Sequence, residues 1–136
     1  MNVLFVCYGN VGRSQIAEAF FNFATEKHTA MSAGVIGEEL SDRILGNDFG
    51  EKVVRCMEEK EISLRGNRPK GIHPRITEQS DLIVWMADKK YVPVYLKNKE
   101  IVYWDVPDPR DNSYEFHCEV RDQLKGLVEK LVSELS

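Results

Sequence analysis

Residues 1–20 read MNVLFVCYGNVGRSQIAEAF, and the fold turns on how that stretch is parsed. Val3-Leu4-Phe5-Val6 is a short apolar run, the pattern of a strand (Asn2 to Val6) buried on both faces. It runs straight into Cys7. Gly9, Gly12 and Arg13 follow, and from Arg13 to about Lys27 apolar residues recur at Ile16, Ala19, Phe20, Phe23 and Ala24, the spacing of a helix face. A strand-to-helix turn leaves several backbone N–H groups without intrahelical partners, and the helix dipole adds about half a positive charge there. Gly9 and Gly12 are expected to admit the left-handed or crowded backbone that lets amides converge on one point. Arg13 supplies a planar fork of donors matched to two oxygens of a phosphate. The loop Tyr8, Gly9, Asn10, Val11, Gly12, Arg13 and Ser14 therefore reads as an anion cradle.

Cys7 sits at the base of that cradle. The same positive field favours thiolate over thiol, and the Ser14 hydroxyl is spaced to donate a hydrogen bond to the sulfur. A thiolate beneath a bound phosphoryl group is aligned for in-line attack on phosphorus, with the amides and Arg13 stabilising charge on the equatorial oxygens. The pattern CxxxxxRS is a phosphate site with a nucleophile in its floor. A nucleotide P-loop is excluded, because GNVGRS lacks the GxxxxGK[ST] pattern and its lysine.

The rest of the chain alternates. Met31 to Val35 reads as a second strand or its end, Asp48 to Glu61 as a helix, Pro69 to Pro74 as a loop and Ile76 to Ser80 as a short helix. Asp81-Leu82-Ile83-Val84-Trp85-Met86 is a buried strand. Lys89 to Lys97 reads as a short helix broken by Pro93, Ile101 to Trp104 as a fourth strand, and Tyr114 to Leu135 as a long closing helix with Phe116, Val120, Leu124, Leu127, Val128 and Leu131 on its apolar side. Strand–helix alternation predicts an α/β fold: one three-layer domain over 1–136, with a four-stranded parallel sheet and helices on both faces. Ligands of such sheets lie beyond the carboxyl ends of the strands, where Cys7 is.

A leaving alkoxide or phenoxide needs a proton. Asp108 follows the fourth strand in Trp104-Asp105-Val106-Pro107-Asp108-Pro109, so it emerges at the same edge as Cys7. Two prolines stiffen its loop. A carboxyl beside a doubly negative phosphate is favoured in its protonated form and can act as the acid, then as the base that activates water. Asp105, closer to the strand, is expected to be structural.

Bulk composition narrows the class. The chain has 136 residues, 43% hydrophobic and 29% charged, with a net charge of −4. That suits a single domain and argues against a nucleic-acid binder. No apolar run approaches a membrane span, and the first residues make no signal peptide, so the expectation is a cytoplasmic protein with no membrane partner. Three cysteines (Cys7, Cys56, Cys118) and three scattered histidines (His28, His73, His117) offer neither a disulfide framework nor a zinc pattern, so no metal is expected.

VCYGNVGRSQIAEAF, the Ser-Ala-Gly at Ser32 to Gly34, the DLIVWM strand and the DVPDP loop together resemble the low-molecular-weight protein tyrosine phosphatase family, in order and over nearly the whole chain. The resemblance implies a flavodoxin-like sheet, a cysteinyl-phosphate intermediate and no cofactor. It makes Cys7 the nucleophile, Arg13 the phosphate ligand, Ser14 the thiolate's partner and Asp108 the acid. It also gives Asn10 the task of holding the loop in shape against Ser32. The partner it implies is a phosphorylated protein or a small phosphomonoester, and a monomer is expected. Two departures stand out. Gly12 replaces a second loop cysteine that many members use to shelter the nucleophile in a disulfide. Arg110-Asp111 replaces the tyrosines that line the cleft of eukaryotic members, leaving Tyr8 as a ring at the mouth.

Substrate identity stays open among phosphotyrosine, phosphoarginine and small phosphomonoesters; the resemblance ties phosphoarginine preference to the loop position of Val11. Two other functions fit the cradle. Arsenate reductases of the same fold share a helix start similar to RSQIAEAF, with Gln15 and Glu18, but need two relay cysteines near the end of the third strand. Residues 81–93, DLIVWMADKKYVP, contain none, with Met86 and Ala87 about where the first would fall. A phosphate-binding module without turnover is the third reading. Cys56, beside Val53 and Met57, reads as core, and Cys118 as a partly exposed thiol. Arg65, Arg68, Lys70 and Arg75, with His73, read as a solvated basic loop or an attractor of anionic substrate.

Overall fold

The apolar run at the head of the chain forms β1, Asn2–Cys7, and the remaining elements are arranged around it. The computed structural model describes all residues, Met1–Ser136. Val3, Leu4, Phe5 and Val6 are wholly buried. β1 lies between β2 (Thr29–Gly34) and β3 (Leu82–Trp85), and β4 (Ile101–Tyr103) extends the sheet beyond β3. The order is β2-β1-β3-β4 and every pairing is parallel. Cys7 stands opposite Gly34, Val6 opposite Trp85, and Trp85 opposite Tyr103. All four carboxyl ends therefore reach one edge. The chain passes from β1 outward to β2, then returns to the other side of β1 for β3, and the crevice at that reversal is where ligands of such sheets bind.

Side-chain alternation along β1 separates two cores. Val3, Phe5 and Cys7 face the layer made by α1 (Arg13–Ala24), α2 (Glu51–Glu58) and α4 (Tyr114–Leu135). Phe5 meets Phe21 edge-on at 5.8 Å and Trp104 at 5.7 Å. Truncating a ring so placed costs about 3–5 kcal/mol in general. Leu4 and Val6 face the other way, into a smaller core with Ile83, Trp85 and Leu96, against which Ile76 of α3 (Pro74–Glu78) packs. α4 starts at Ser113, whose hydroxyl accepts the Phe116 N–H at 3.1 Å. Its buried stripe, Val120, Leu124, Val128 and Leu131, keeps helical spacing.

The expected single-domain α/β architecture, parallel and covered on both faces, is what the chain adopts. The second layer is thinner than the alternation implied. Lys89–Lys97 is not a helix but two 3₁₀ turns, Lys89–Tyr91 and Val94–Leu96, because Pro93 between them is extended. α1 stops at Ala24, short of Lys27, where Thr25 turns extended. α2 begins at Glu51 rather than Asp48, because Asp48 and Gly50 take φ of 56° and 64° and turn the chain back before the helix can start. No helix is long and apolar enough to cross a membrane.

Candidate active site

Cys7 ends β1 with its sulfur under the loop that leads to α1, and the residue is 3% exposed. The Asn10 N–H donates to the sulfur at 3.3 Å, and the Ser14 hydroxyl lies 3.0 Å from it. The donor in the second contact follows from what surrounds Ser14. Asn10 Nδ2 donates to Ser14 Oγ at 2.7 Å and to Ser32 Oγ at 3.0 Å. Ser32 in turn donates to Glu18 Oε1. Ser14 Oγ thus already accepts, which leaves its proton for the sulfur. Asn10 Oδ1 accepts the Lys70 N–H at 2.8 Å. Gln15 Nε2 donates to the Asn10 carbonyl at 3.2 Å. Asn10 is wholly buried with bonds on every side, and Ser32 is among the residues it meets.

The left-handed backbone sits elsewhere than expected. Neither Gly9 nor Gly12 has a positive φ; Asn10 does, at 59°. Asparagine tolerates that region better than other side chains because its amide bonds locally. The glycine that the loop cannot do without is Gly34, opposite Cys7: a Cβ there would stand 2.6 Å from the Asn10 nitrogen. The N–H groups of Gly9, Val11 and Gly12 donate to no backbone or side-chain acceptor in the protein. α1 carries no side-chain cap and no acidic residue in its first turn. The loop therefore presents free amides and an uncompensated helix terminus around the Cys7 sulfur, a nest for an anion.

Arg13 is 7% exposed. Its Nη1 donates to the carbonyls of Met86 at 2.7 Å and Val106 at 3.0 Å, so the ends of β3 and β4 aim it. Its Nη2 faces Asp108 Oδ2 at 3.6 Å. Asp108 Oδ1 accepts the Arg110 N–H at 3.0 Å, which holds the carboxyl between its two prolines. Cys7, Arg13 and Asp108 border one cleft of about 500 Å³, together with Tyr8, Gly9, Val11 and Gly12. A shallower cavity of about 360 Å³ adjoins it and shares Tyr8, Arg13, Asp108 and Arg110. Such a site can hold a tetrahedral oxyanion over a sulfur, with a carboxyl beside it.

The Tyr8 ring borders both spaces and meets the Tyr91 ring at 5.5 Å, with the Arg110 guanidinium 5.9 Å from its centre. Sequence reasoning missed Tyr91, Phe49 and His117, which also border these cavities. Phe49 lay inside the expected helix; the turn-forming run Asn47-Asp48-Phe49-Gly50 was the signal that it does not. The basic loop does not reach either cavity. Arg65 pairs with Glu58 at 3.3 Å and lies 3.9 Å from Glu51, while Arg68 reaches toward the carbonyls of Ser41 and Asp42. Lys70 contributes its backbone N–H, not its charge.

The other thiols also stand apart from the cleft. Cys56 is fully buried and donates to the Val53 carbonyl at 3.2 Å. Burial, and after it the nearby Cys118, push its thiol up to about 12. Cys118 lies half-buried against Glu59 Oε2 at 3.7 Å.

The sequence pattern of the family described as "Low molecular weight phosphotyrosine protein phosphatase" matches residues 2–136. The low molecular weight protein-tyrosine-phosphatase Ptp of Acinetobacter johnsonii is 28% identical over 98% of this chain and 94% of its own. An arsenate reductase of Staphylococcus aureus (strain N315) is 29% identical over 94% of this chain and 93% of its own. Among solved structures, the C7S mutant of YwlE arginine phosphatase with a phosphorylated active-site serine aligns with a TM-score of 0.83 at 25% identity, covering 99% of this chain and 95% of that one.

Proposed function

The chain belongs to the low molecular weight phosphotyrosine protein phosphatase family, and from that membership we propose that it is a cysteine-dependent phosphomonoesterase acting on aryl phosphates such as phosphotyrosine, in a protein or a small molecule. One observation carries the proposal: the Cys7 sulfur accepts from Asn10 and faces the Ser14 hydroxyl, at the base of a loop whose Gly9, Val11 and Gly12 amides have no partner in the protein. Those donors are placed to hydrogen-bond the attacking sulfur and then the oxyanion above it. In the first step the thiolate attacks phosphorus; the S–P bond forms, the ester O–P bond breaks, and Asp108 gives its proton to the departing oxygen. In the second, Asp108 takes a proton from water, whose oxygen attacks phosphorus. The S–P bond breaks, releasing phosphate and restoring the thiolate. Arg13, aimed by two carbonyls, holds the equatorial oxygens through both steps.

The kinship to arsenate reductases favours a second reading, since arsenate has the size and charge of phosphate. Reduction needs further thiols to carry the disulfide away from Cys7. Cys56 and Cys118 border neither cavity, which supports hydrolysis instead. The deciding experiment assays a chromogenic aryl phosphate without added metal, phosphotyrosine and phosphoarginine peptides, and thioredoxin-coupled arsenate reduction, in wild type, Cys7→Ser and Asp108→Asn. Aryl phosphate hydrolysis that Cys7→Ser abolishes and Asp108→Asn cripples is the expected result. Arsenate turnover without esterase activity would reverse the ranking, and oxyanion binding with neither activity would leave a binding module.

A further inference from the structure

His117 stands in the first turn of α4 and has no part in the two steps above. It is 6% exposed. Its Nδ1 lies 2.8 Å from the Ser113 carbonyl oxygen. A carbonyl only accepts, so Nδ1 carries a proton and donates it, and whenever the ring is neutral its lone pair is on Nε2. Nε2 has no partner in the protein, yet no buried side-chain nitrogen or oxygen anywhere in the molecule lacks one. Nε2 therefore reaches open space. The space His117 borders is the larger cleft, shared with Cys7 and Asp108, and not the shallower cavity beside Tyr91.

A lone pair held in that cleft repels a phosphate dianion, which the loop amides and Arg13 already satisfy. It suits a donor instead. Resting on the phosphomonoesterase reading, we infer that His117 Nε2 reads the organic group attached to phosphorus, accepting a hydrogen bond from an O–H or N–H on it. The enzyme then prefers phosphoryl compounds whose organic group carries such a donor over plain aryl ones. The bond to Ser113 fixes the ring's direction, and burial keeps it from swinging away, so the preference is built into the wall of the cleft.

A purely structural role, in which the ring only ties down the first turn of α4, predicts the opposite ranking of two substitutions. An asparagine amide can reproduce the Nδ1 bond to Ser113 but not Nε2; a glutamine amide extends to where Nε2 lies. The test is calorimetric binding of phenylphosphonate, 3-hydroxyphenylphosphonate and inorganic phosphate to wild type, His117→Asn and His117→Gln, with phenyl phosphate hydrolysis measured alongside. Wild type is expected to bind the hydroxylated phosphonate about five- to tenfold more tightly than the plain one. His117→Gln keeps most of that ratio, His117→Asn brings it to about one, and inorganic phosphate binds all three alike. The inference is overturned by a wild type without the preference, by a ratio that survives His117→Asn, or by inorganic phosphate weakening in step. Should His117→Gln not fold, wild type and His117→Asn decide alone. A preference without any hydrolysis sinks the phosphatase reading and keeps the role of His117; hydrolysis without preference does the reverse.

Discussion

Cys7 and Cys56 belong to the same buried cluster and are almost equally hidden, 3% and 0% exposed. Their surroundings are opposite in kind. The Cys7 sulfur is met by an N–H and a hydroxyl, both donors, at the head of an uncapped helix. The Cys56 thiol is met by a carbonyl, an acceptor, which it satisfies by keeping its proton. Burial alone thus does not separate the two. What separates them is whether the neighbours give or take hydrogen bonds, and the two sites differ because one lies at the carboxyl edge of the sheet and the other within a helix.

The sharpest test of that contrast is chemical. Iodoacetamide at neutral pH is expected to modify Cys7 and leave Cys56 untouched in the folded protein, with phosphate or vanadate protecting Cys7. Mass mapping of the alkylated peptides reads both at once. Cys7→Ser is expected to reduce aryl phosphate hydrolysis to background, while Cys56→Ala leaves kcat/KM near the wild-type value. Hydrolysis that survives Cys7→Ser breaks the comparison outright.

Asp108→Asn probes the partner of the Cys7 site. The amide keeps the shape but has no proton to give, and the rate should fall by about a hundred- to ten-thousandfold for esters with poor leaving groups. Activated aryl esters, whose leaving oxygen needs no proton, should lose far less. A uniform loss across leaving groups would mean that Asp108 only positions Arg13, which it faces at 3.6 Å.

Asn10 sharpens the donor side. Replacing it with alanine strands the Lys70 N–H and leaves Ser14 free to rotate its proton away from Cys7, at a general cost of about 1–3 kcal/mol for a buried group left unpaired. Asn10→Gly loses the same bonds but tolerates the φ of 59°. It should therefore be about 1 kcal/mol more stable than Asn10→Ala by urea unfolding, with activity equally impaired. Equal stability of the two would deny that the backbone at this position is strained for other residues.

The donor side was only partly written in the linear order. The strand, and the meeting of Cys7, Arg13 and the late Asp108 at one cleft, could be read because each place follows from local pattern: an apolar run, a loop of fixed length, two prolines. The parallel sheet followed from alternation. The left-handed residue is Asn10 rather than Gly9 or Gly12, because hydrogen bonds from the Lys70 backbone N–H and the Gln15 side chain hold Asn10 there, and those partners come from distant or unremarkable positions. The same reason hid Phe49, Tyr91 and His117, which reach the cleft from three separate segments. Arg13 looked like a free fork, yet one of its nitrogens is occupied by carbonyls that only the folded sheet brings near.

A further effect, confined to alkaline pH, comes from the acceptor side. Burial raises the Cys56 thiol from an ordinary 9.0 to about 12. Below pH 9 the group is protonated in both folded and unfolded chains and contributes nothing that varies with pH. Above it the unfolded chain loses the proton while the folded chain retains it, so the folded state binds more protons and stability falls as pH rises, by at most about 1.4 kcal/mol per unit, until the folded value is reached. Wild type should lose more stability between pH 8 and pH 10.5 than Cys56→Ala in paired urea titrations, with the gap widening as the pH climbs. Parallel losses would mean that Cys56 ionises as readily folded as unfolded. Burial would then give the Cys56 proton no protection, and the distinction between the two thiols would rest on the Cys7 loop alone.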